Sequence, residues 1–357
     1  MKQFHELIVE DIANETRDSL RISLRVPEEL EDKYQFLPGQ HLPFQVTLDG
    51  KKIRRTYSIC SAINERPLQI GVRVQPGGAF SEFAANQLKV GDTLEAMPPS
   101  GQFHVNLRPE KPRDYVGFAA GSGITPILSM MKSILDNEPE SRFILFYGNR
   151  RQSTTMFIDD LYALKNRYPE RVQLNFVFSR EEQEFEPMAG RLDGAKVLEL
   201  YKHFGAGLYT TDAFVCGPDS MIKEVTAALV ELGMRPDRVH AERFGIPRKG
   251  KADTAPKAPE ASAEAAEVTV IMDGHKQSFE MPRDGSNLVD AAAEHGLELP
   301  YSCKGGVCAT CRCHVKEGSV EMGTNYGLEP WEVEDGFVLA CQSTPTSDTV
   351  TLDYDKA

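Results

Sequence analysis

At 357 residues the chain is long enough for two or three domains, and with 41% apolar and 8% aromatic residues each can bury its own core. A net charge of −13 excludes a nucleic-acid surface, and the longest uncharged run, residues 115–131, holds three Gly and a Pro, too short and broken for the roughly 20 apolar residues of a spanning helix. The first twenty residues lack the basic start and apolar block of a signal peptide, which predicts a cytoplasmic protein with no membrane segment; seven cysteines there point to metal or redox chemistry before disulfides.

Three globular units are expected. The first hundred residues read as β structure: LRISLRVP and LQIGVRVQ alternate in period two, PGQ and LDGKK mark turns, and SEFAANQL is the helical-looking piece. An antiparallel barrel is therefore expected over residues 1–108. Within it, RRTYSIC (54–60) and QPGGAFSEF (75–83) supply an Arg, an aromatic face, a hydroxyl and a Gly-rich helix start. Taken singly, a Tyr-Ser pair on a strand is most often packing and Gly-Gly most often a turn. Beside a dinucleotide domain they suit a flavin, with its ring against Tyr57, Ser58 toward flavin N5, and the pyrophosphate at the N-terminus of SEFAANQL near Arg55.

Over residues 109–246 the pattern changes. VGFAA, FILFYG, LNFVFS and AFVCG read as short buried strands alternating with helices such as TPILSMMKSIL and MIKEVTAALVELG, which predicts an α/β domain with a parallel, doubly wound sheet. GSGITP (121–126) follows VGFAA and opens a helix. Its glycines let the backbone approach a pyrophosphate, Pro126 suits the first helical position, and Ile127, Met130, Met131, Ile134 and Leu135 are offered to the sheet. The third Gly of a full dinucleotide fingerprint is missing, and FILFYG runs into Asn149, Arg150 and Arg151 rather than an acidic ribose binder. VCGPDSM sets Cys216 at the ligand-binding end of a strand, although a lone Cys there is usually a small core residue. HAERFG puts Glu242 and Phe244 where the chain leaves the sheet; its plain reading is an edge strand.

Residues 247–267, PRKGKADTAPKAPEASAEAAE, have the composition of a flexible linker. Beyond it, residues 268–357 carry 15 acidic against 6 basic residues, −9 of the total −13. VTVIMDGHKQSFEMP reads as a hairpin and NLVDAAAEHG as a helix. Cys303, Cys308 and Cys311, with Cys341 far downstream, give C-x4-C-x2-C plus a distant fourth, the plant-type spacing for a [2Fe–2S] cluster. Gly305 and Gly306 allow the loop to curl around metal, and its N–H groups can point at sulfur. Cys313 would project the other way along an emerging strand. A four-thiolate zinc site is the competing reading, but zinc ribbons usually bring two close C-x2-C pairs and only one is present.

The ordered set R-x-Y-S, G-G-x-x-S, G-x-G-I-T-P, C-G-P and the plant-type tail resembles the ferredoxin–NADP reductase superfamily in its three-domain, oxygenase-reductase form, over nearly the whole chain. The resemblance implies an FAD-binding β-barrel, a nicotinamide-binding α/β domain and an α+β, β-grasp ferredoxin domain. It implies FAD rather than FMN held by Arg55, Tyr57, Ser58, Val72 and Val74, with Gly77, Gly78, Ala79, Phe80 and Ser81 at its phosphates and Phe244 over its ring. Gly121, Ser122, Gly123, Thr125 and Pro126 would cradle the dinucleotide, Cys216 and Gly217 would flank the nicotinamide, and Glu242 would lie near the hydride path. Ser179 and Arg180 of FSREE stand where relatives read a 2′-phosphate, which favours NADPH over NADH. SCKGGVCATC, TNYGLEP and VLACQSTP are similar to the reductase subunits of phenylacetyl-CoA epoxidase complexes. The implied path is NADPH to FAD to [2Fe–2S] to a multicomponent, di-iron oxygenase. Reductases of steroid or aromatic-ring oxygenases, desaturases and nitrogen-oxide stress enzymes share much of the pattern. A colourless, zinc-stapled redox sensor is the rival from another class.

Overall fold

The computed structural model describes residues 3–204, 211–244 and 265–356. Six antiparallel strands, β1 (His5–Thr16), β2 (Ser19–Arg25), β3 (His41–Leu48), β4 (Lys51–Ser58), β5 (Leu68–Arg73) and β6 (Thr93–Ala96), pair in the order β4-β3-β6-β1-β2-β5. Period-two alternation does what it predicts: Leu20, Ile22 and Leu24 of β2 and Leu68, Ile70 and Val72 of β5 are buried together. A bridge between Ile59 and Ile70, with the Cys60 N–H donating to the Gln69 carbonyl at 2.8 Å, joins the two outer strands, so the sheet closes on itself and leaves no open edge there. Helix α1 (Ala79–Asn86) follows the Gly77-Gly78 turn.

The alternating region forms β7 (Asp114–Ala120), α2 (Ile124–Asn137), β8 (Arg142–Asn149), α3 (Ile158–Arg167), β9 (Val172–Phe178), α4 (Gly194–Phe204), β10 (Asp212–Gly217), α5 (Asp219–Glu231) and β11 (Val239–Arg243). All five strands are parallel, in the order β11-β10-β7-β8-β9. From β7 the chain moves outward to β8 on one side and later returns to β10 on the other, so the switch point lies between the C-terminal ends of β7 and β10. The HAER portion of that motif lies in β11, an edge strand as its plain reading has it.

Two expectations about α2 need correcting. The helix starts at Ile124 after a 3-10 turn over Gly121–Gly123, so Pro126 is its third residue. That position tolerates proline equally, because first-turn N–H groups have no carbonyl four residues back within the helix. Met130 does not serve the sheet alone: its methyl lies where a side chain on Gly39 of the barrel would be. Contacts group the barrel and the parallel sheet, residues 4–99 and 103–244, into one compact unit and place residues 265–356 in the other.

At the N-terminal end of the parallel sheet, buried Asp212 accepts from Arg238 Nη1 at 3.3 Å, pairs with His240 Nε2 at 3.1 Å and has Arg113 Nη1 at 3.9 Å. Burial alone would raise its pKa, but the His240 and Arg238 contacts outweigh it and hold the carboxyl below its usual value. A depressed carboxyl contributes stability above its unfolded pKa of about 3.9 and loses it as pH falls through the folded value. Asp212→Asn is therefore expected to lower stability by about 2 kcal/mol near neutral pH, with the difference from the parent closing below about pH 4. Urea unfolding of both proteins across that range checks it.

The second unit contains β12 (Ala265–Met272), β13 (His275–Pro282), α6 (Leu288–Glu294), β14 (Arg312–Glu317), β15 (Val320–Met322), α7 (Pro330–Glu334), β16 (Phe337–Leu339), β17 (Ser343–Pro345) and β18 (Thr349–Asp353). Its main sheet runs β13-β12-β18-β14-β16, with β12 and β18 parallel and the other pairs antiparallel, and α6 packs its Leu288, Val289 and Ala292 into the core. The Asn287 side chain caps α6 by accepting from the Asp290 N–H at 3.0 Å. Of the expected linker, residues 247–264 lie outside the described residues. Residues 265–267 belong instead to β12, where Ala266 is fully buried and pairs with Met281. Among the described residues no helix is long and apolar enough to cross a membrane.

Candidate redox cofactor sites

β4 ends in Arg54-Arg55-Thr56-Tyr57-Ser58, and strand alternation sorts these side chains. Arg54 turns inward, where its Nε donates to Gln45 Oε1 at 2.8 Å, and Arg55 and Tyr57 share the other face with Arg55 exposed. The Tyr57 ring lies 5.0 Å from that of Phe80, and burial raises the phenol well above its ordinary pKa, so it is a neutral platform. Phe80 and Val72 are fully buried, so their side chains back the site from within rather than facing a ligand. Ser81 Oγ is engaged in the turn before α1, donating to the Gly78 carbonyl at 3.1 Å and accepting from the Gln75 N–H at 3.2 Å. Ala79 opens α1, and Val74 is tied through its N–H to the Asp18 carbonyl at 2.8 Å.

Where the barrel meets the parallel sheet, the three residues expected to be catalytic converge. Ser58 Oγ is 3.5 Å from Glu242 Oε2, and Glu242 stands directly across from Cys216 in the β10–β11 ladder. Cys216 is 0% exposed, and burial first, then Glu242, raise its thiol well above the ordinary value. It is a neutral thiol, buried as the plain reading of a lone core Cys has it. Sequence reasoning missed His41, which pairs with Ser58 across β3–β4 and sets Nδ1 3.4 Å from Glu242 Oε1. Its buried Nε2 has no protein partner, and its only sequence signal was a lone polar ring inside the apolar run HLPFQV. Phe244, 46% exposed, ends the described stretch just past β11. An aromatic platform, an exposed Arg and an orphaned buried nitrogen fit a flavin.

The Gly121–Gly123 turn carries the second site. Gly121 has φ 54° and its carbonyl accepts from Tyr147 Oη at 2.8 Å. A Cβ on Gly123 would lie 2.1 Å from the Cys216 carbonyl oxygen, so only glycine lets this turn lie against the end of β10 beside Gly217. Thr125 Oγ1 donates to the Ser122 carbonyl at 3.0 Å, and both Thr125 and Pro126 are buried, so they shape the cradle instead of lining it. Ser122, half-buried, remains at its rim. The α2 N-terminus behind this turn fits a pyrophosphate. Exposed Ser179 and Arg180 run beside Asn149 and Arg150, their N–H groups donating to those carbonyls at 2.9 Å each, so Arg150 and Arg180 come together at one rim.

In the second unit the loop over residues 303–311 bends through Lys304 and Ala309, both in the left-handed region with φ 50° and 51°, as well as through Gly306 at 72°. Gly305 does not take a positive φ. A Cβ on Gly306 would meet the Thr324 carbonyl oxygen at 2.2 Å, and the Tyr326 N–H donates to the Gly306 carbonyl at 2.8 Å, so TNYGLEP braces the loop. Cys303 Sγ accepts from the N–H groups of Gly305 and Cys308 at 3.3 and 3.4 Å, and Thr310 Oγ1 donates to Cys308 Sγ at 3.1 Å. Cys341 sits on a 3-10 turn over Ala340–Gln342 tied to the loop by the Ala340 N–H, 3.1 Å from the Cys311 carbonyl.

The four thiols lie within electrostatic reach of one another, Cys308 acting on Cys311 and Cys303 on Cys341. They meet as two neighbouring pairs, Cys303 with Cys308 and Cys311 with Cys341. Within each pair the partner's S–H comes first in lowering Cys303 and Cys341, while Cys308 and Cys311 are raised. Two thiolate pairs suit a two-iron cluster, where each iron takes two; one zinc would need all four around a single centre. Cys313 points into the core, fully buried, its thiol pushed up to about 12 by burial.

Three family descriptions cover this architecture. Residues 6–105 match an oxidoreductase FAD-binding domain, residues 118–227 an oxidoreductase NAD-binding domain and residues 270–346 a 2Fe-2S iron-sulfur cluster binding domain. The chain is similar to one of the subunits of 1,2-phenylacetyl-CoA epoxidase from Escherichia coli (strain K12), 40% identical with 99% of each chain covered. This chain belongs to the oxygenase-reductase family. The reductase is also similar to the ferredoxin reductase component of 3-ketosteroid-9-alpha-monooxygenase from Rhodococcus rhodochrous, 34% identical over 98% of this chain and 96% of that one. Phthalate dioxygenase reductase shares its fold, with a TM-score of 0.59 and 22% identity over 98% of both chains. The reductase therefore unites FAD-binding, NAD-binding and 2Fe-2S domains in one oxidoreductase chain.

Proposed function

We propose that the reductase takes electrons from NADPH and delivers them to the di-iron oxygenase subunits of a phenylacetyl-CoA epoxidising system in the cytoplasm. The observation that carries this reading is the end-to-end likeness to a subunit of the Escherichia coli epoxidase. Likeness to a steroid monooxygenase reductase supports a second reading, service to another oxygenase.

Bound flavin and cluster together convert a two-electron hydride donor into one-electron deliveries, the cluster near roughly −400 mV. The chain's own residues do the holding and orienting. Tyr57 gives the flavin ring a flat neutral support, with Phe80 and Val72 behind it and Val74 beside it, and Arg55 together with Gly77, Gly78, Ala79 and Ser81 at the start of α1 holds its phosphates. Ser58 and Glu242 present a hydroxyl and a carboxylate toward the reacting edge, and Phe244 covers the ring. Gly121, Ser122 and Gly123, shaped by Thr125 and Pro126, hold the nicotinamide dinucleotide's pyrophosphate, while Cys216 and Gly217 close the floor below the nicotinamide. Ser179 and Arg180 bind the 2′-phosphate that marks NADPH. Cys303, Cys308, Cys311 and Cys341 ligate the cluster.

The test is reconstitution with purified epoxidase oxygenase subunits. Phenylacetyl-CoA should raise NADPH consumption more than about tenfold, and NADH should support less. The −9 charge of residues 268–357 should make that rate fall as salt rises from about 0.05 to 0.5 M. A system indifferent to phenylacetyl-CoA but active with a steroid oxygenase would favour the second reading.

A further inference from the structure

Helix α2 is not an ordinary sheet-covering helix. One side carries Ile127, Met131, Ile134 and Leu135 in the apolar core, but a second, polar stripe at spacing i, i+3, i+4 consists of Ser129, Lys132 and Ser133, all buried or nearly so. In a helix wrapped by apolar neighbours such groups need partners, and they find them on the barrel. Ser129 Oγ donates to the Ser61 carbonyl at 2.8 Å, and the Ile63 N–H donates to Ser133 Oγ at 3.1 Å. Lys132 Nζ reaches Glu65 at 3.4 Å and Asp160 of α3 at 2.9 Å.

The barrel residues so gripped are themselves fixed. Ser61 Oγ accepts from the Gln69 N–H at 3.2 Å, tying it to the start of β5, and the Glu65 carboxylate accepts from the Ala62 N–H at 2.9 Å, closing the 62–65 turn. Their positions in the chain give the contacts meaning. Ser61 lies three residues after Ser58, and Ser129 lies six residues, fewer than two helical turns, after Gly123. The seam thus ties the segment after the flavin strand to the helix that follows the dinucleotide turn.

We propose that Ser129 and Lys132 are positioning residues for hydride transfer: by locking α2 to residues 58–65 they set the dinucleotide turn in register with the flavin strand. The transfer moves one proton and two electrons together from the dihydronicotinamide C4–H bond to a new N–H bond at flavin N5, leaving oxidised nicotinamide and reduced flavin. It is steeply sensitive to the approach of two atoms, and neither side chain needs to touch either cofactor. This inference rests on the proposed NADPH-to-flavin reaction.

Ser129→Ala and Lys132→Met, made singly in the full holoprotein, test it. At saturating NADPH the single-turnover flavin reduction rate is expected to fall about tenfold, while the Kd for NADP+ stays within about twofold, because register rather than binding is lost. Lys132→Arg should restore the rate. In the flavin-free protein, amide hydrogen exchange over residues 124–137 and 59–65 should quicken about tenfold in both variants, with β7 and β10 unchanged. Unchanged flavin reduction despite quickened exchange would overturn the proposal, as would a loss shared equally by Kd or accounted for by flavin content. If the parent protein were reduced by no nicotinamide, the function proposed above would fail as well, a result distinct from a parent that works and variants that work equally well.

Discussion

Cys341→Ser is expected to cut NADPH-driven cytochrome c reduction by more than about 100-fold while reduction of a two-electron dye falls less than about twofold, since only the one-electron exit is lost. Serine preserves the shape of the 3-10 turn and the Ala340 N–H to Cys311 carbonyl bond, so the change removes a sulfur without removing the scaffold. What remains is Cys311 without the partner that the fold brings to it from a distant strand end. Inorganic sulfide should disappear from the protein, and with it the paramagnetic signal after dithionite. A variant that kept its sulfide and still reduced cytochrome c would mean that Cys341 is not a ligand.

Gly123→Ala is expected to reduce NADPH-driven flavin reduction by about 100-fold or more, with dithionite reduction of the cluster unaffected. The added methyl would lie 2.1 Å from the Cys216 oxygen and 2.5 Å from the Cys216 carbonyl carbon. Both are backbone atoms, so no rotamer relieves the overlap and the turn must part from the end of β10 by about an ångström. A displacement of that size at the switch point moves the cradle away from the Ser58–Glu242 meeting place. Stopped-flow reduction with NADPH, set beside dithionite titration, separates this from general unfolding. A variant reduced by NADPH at the parent rate would show that the turn does not hold the dinucleotide.

Much of this architecture was legible because its signals are local. Alternation in LQIGVRVQ marked a strand, and four thiols at C-x4-C-x2-C with a remote fourth marked the cluster loop. What escaped depended on partners distant in sequence. Lys304 and Ala309 take left-handed backbone because the loop must curl, and neither residue type announces it. Cys216 is sealed by the Gly121–Gly123 turn folding over it, and His41 matters only because β11 brings Glu242 beside it. Polar residues at 129, 132 and 133 turn to the barrel, where Ser61, Ile63 and Glu65 receive them, and nothing local in the sequence names those partners. Arg54 and Arg55 could be told apart only by strand phase, which places the first inside against Gln45 and the second outside.

Strand β18 is threaded between β12 and β14, so residues 349–353 form the middle of the ferredoxin sheet although they are synthesised after its other strands. Three of the four thiols proposed to ligate the cluster leave the ribosome some forty residues before the strand that completes their support. Closing that sheet therefore waits on the C-terminal segment, and the cysteine loop gains its full support only once synthesis has passed Asp353.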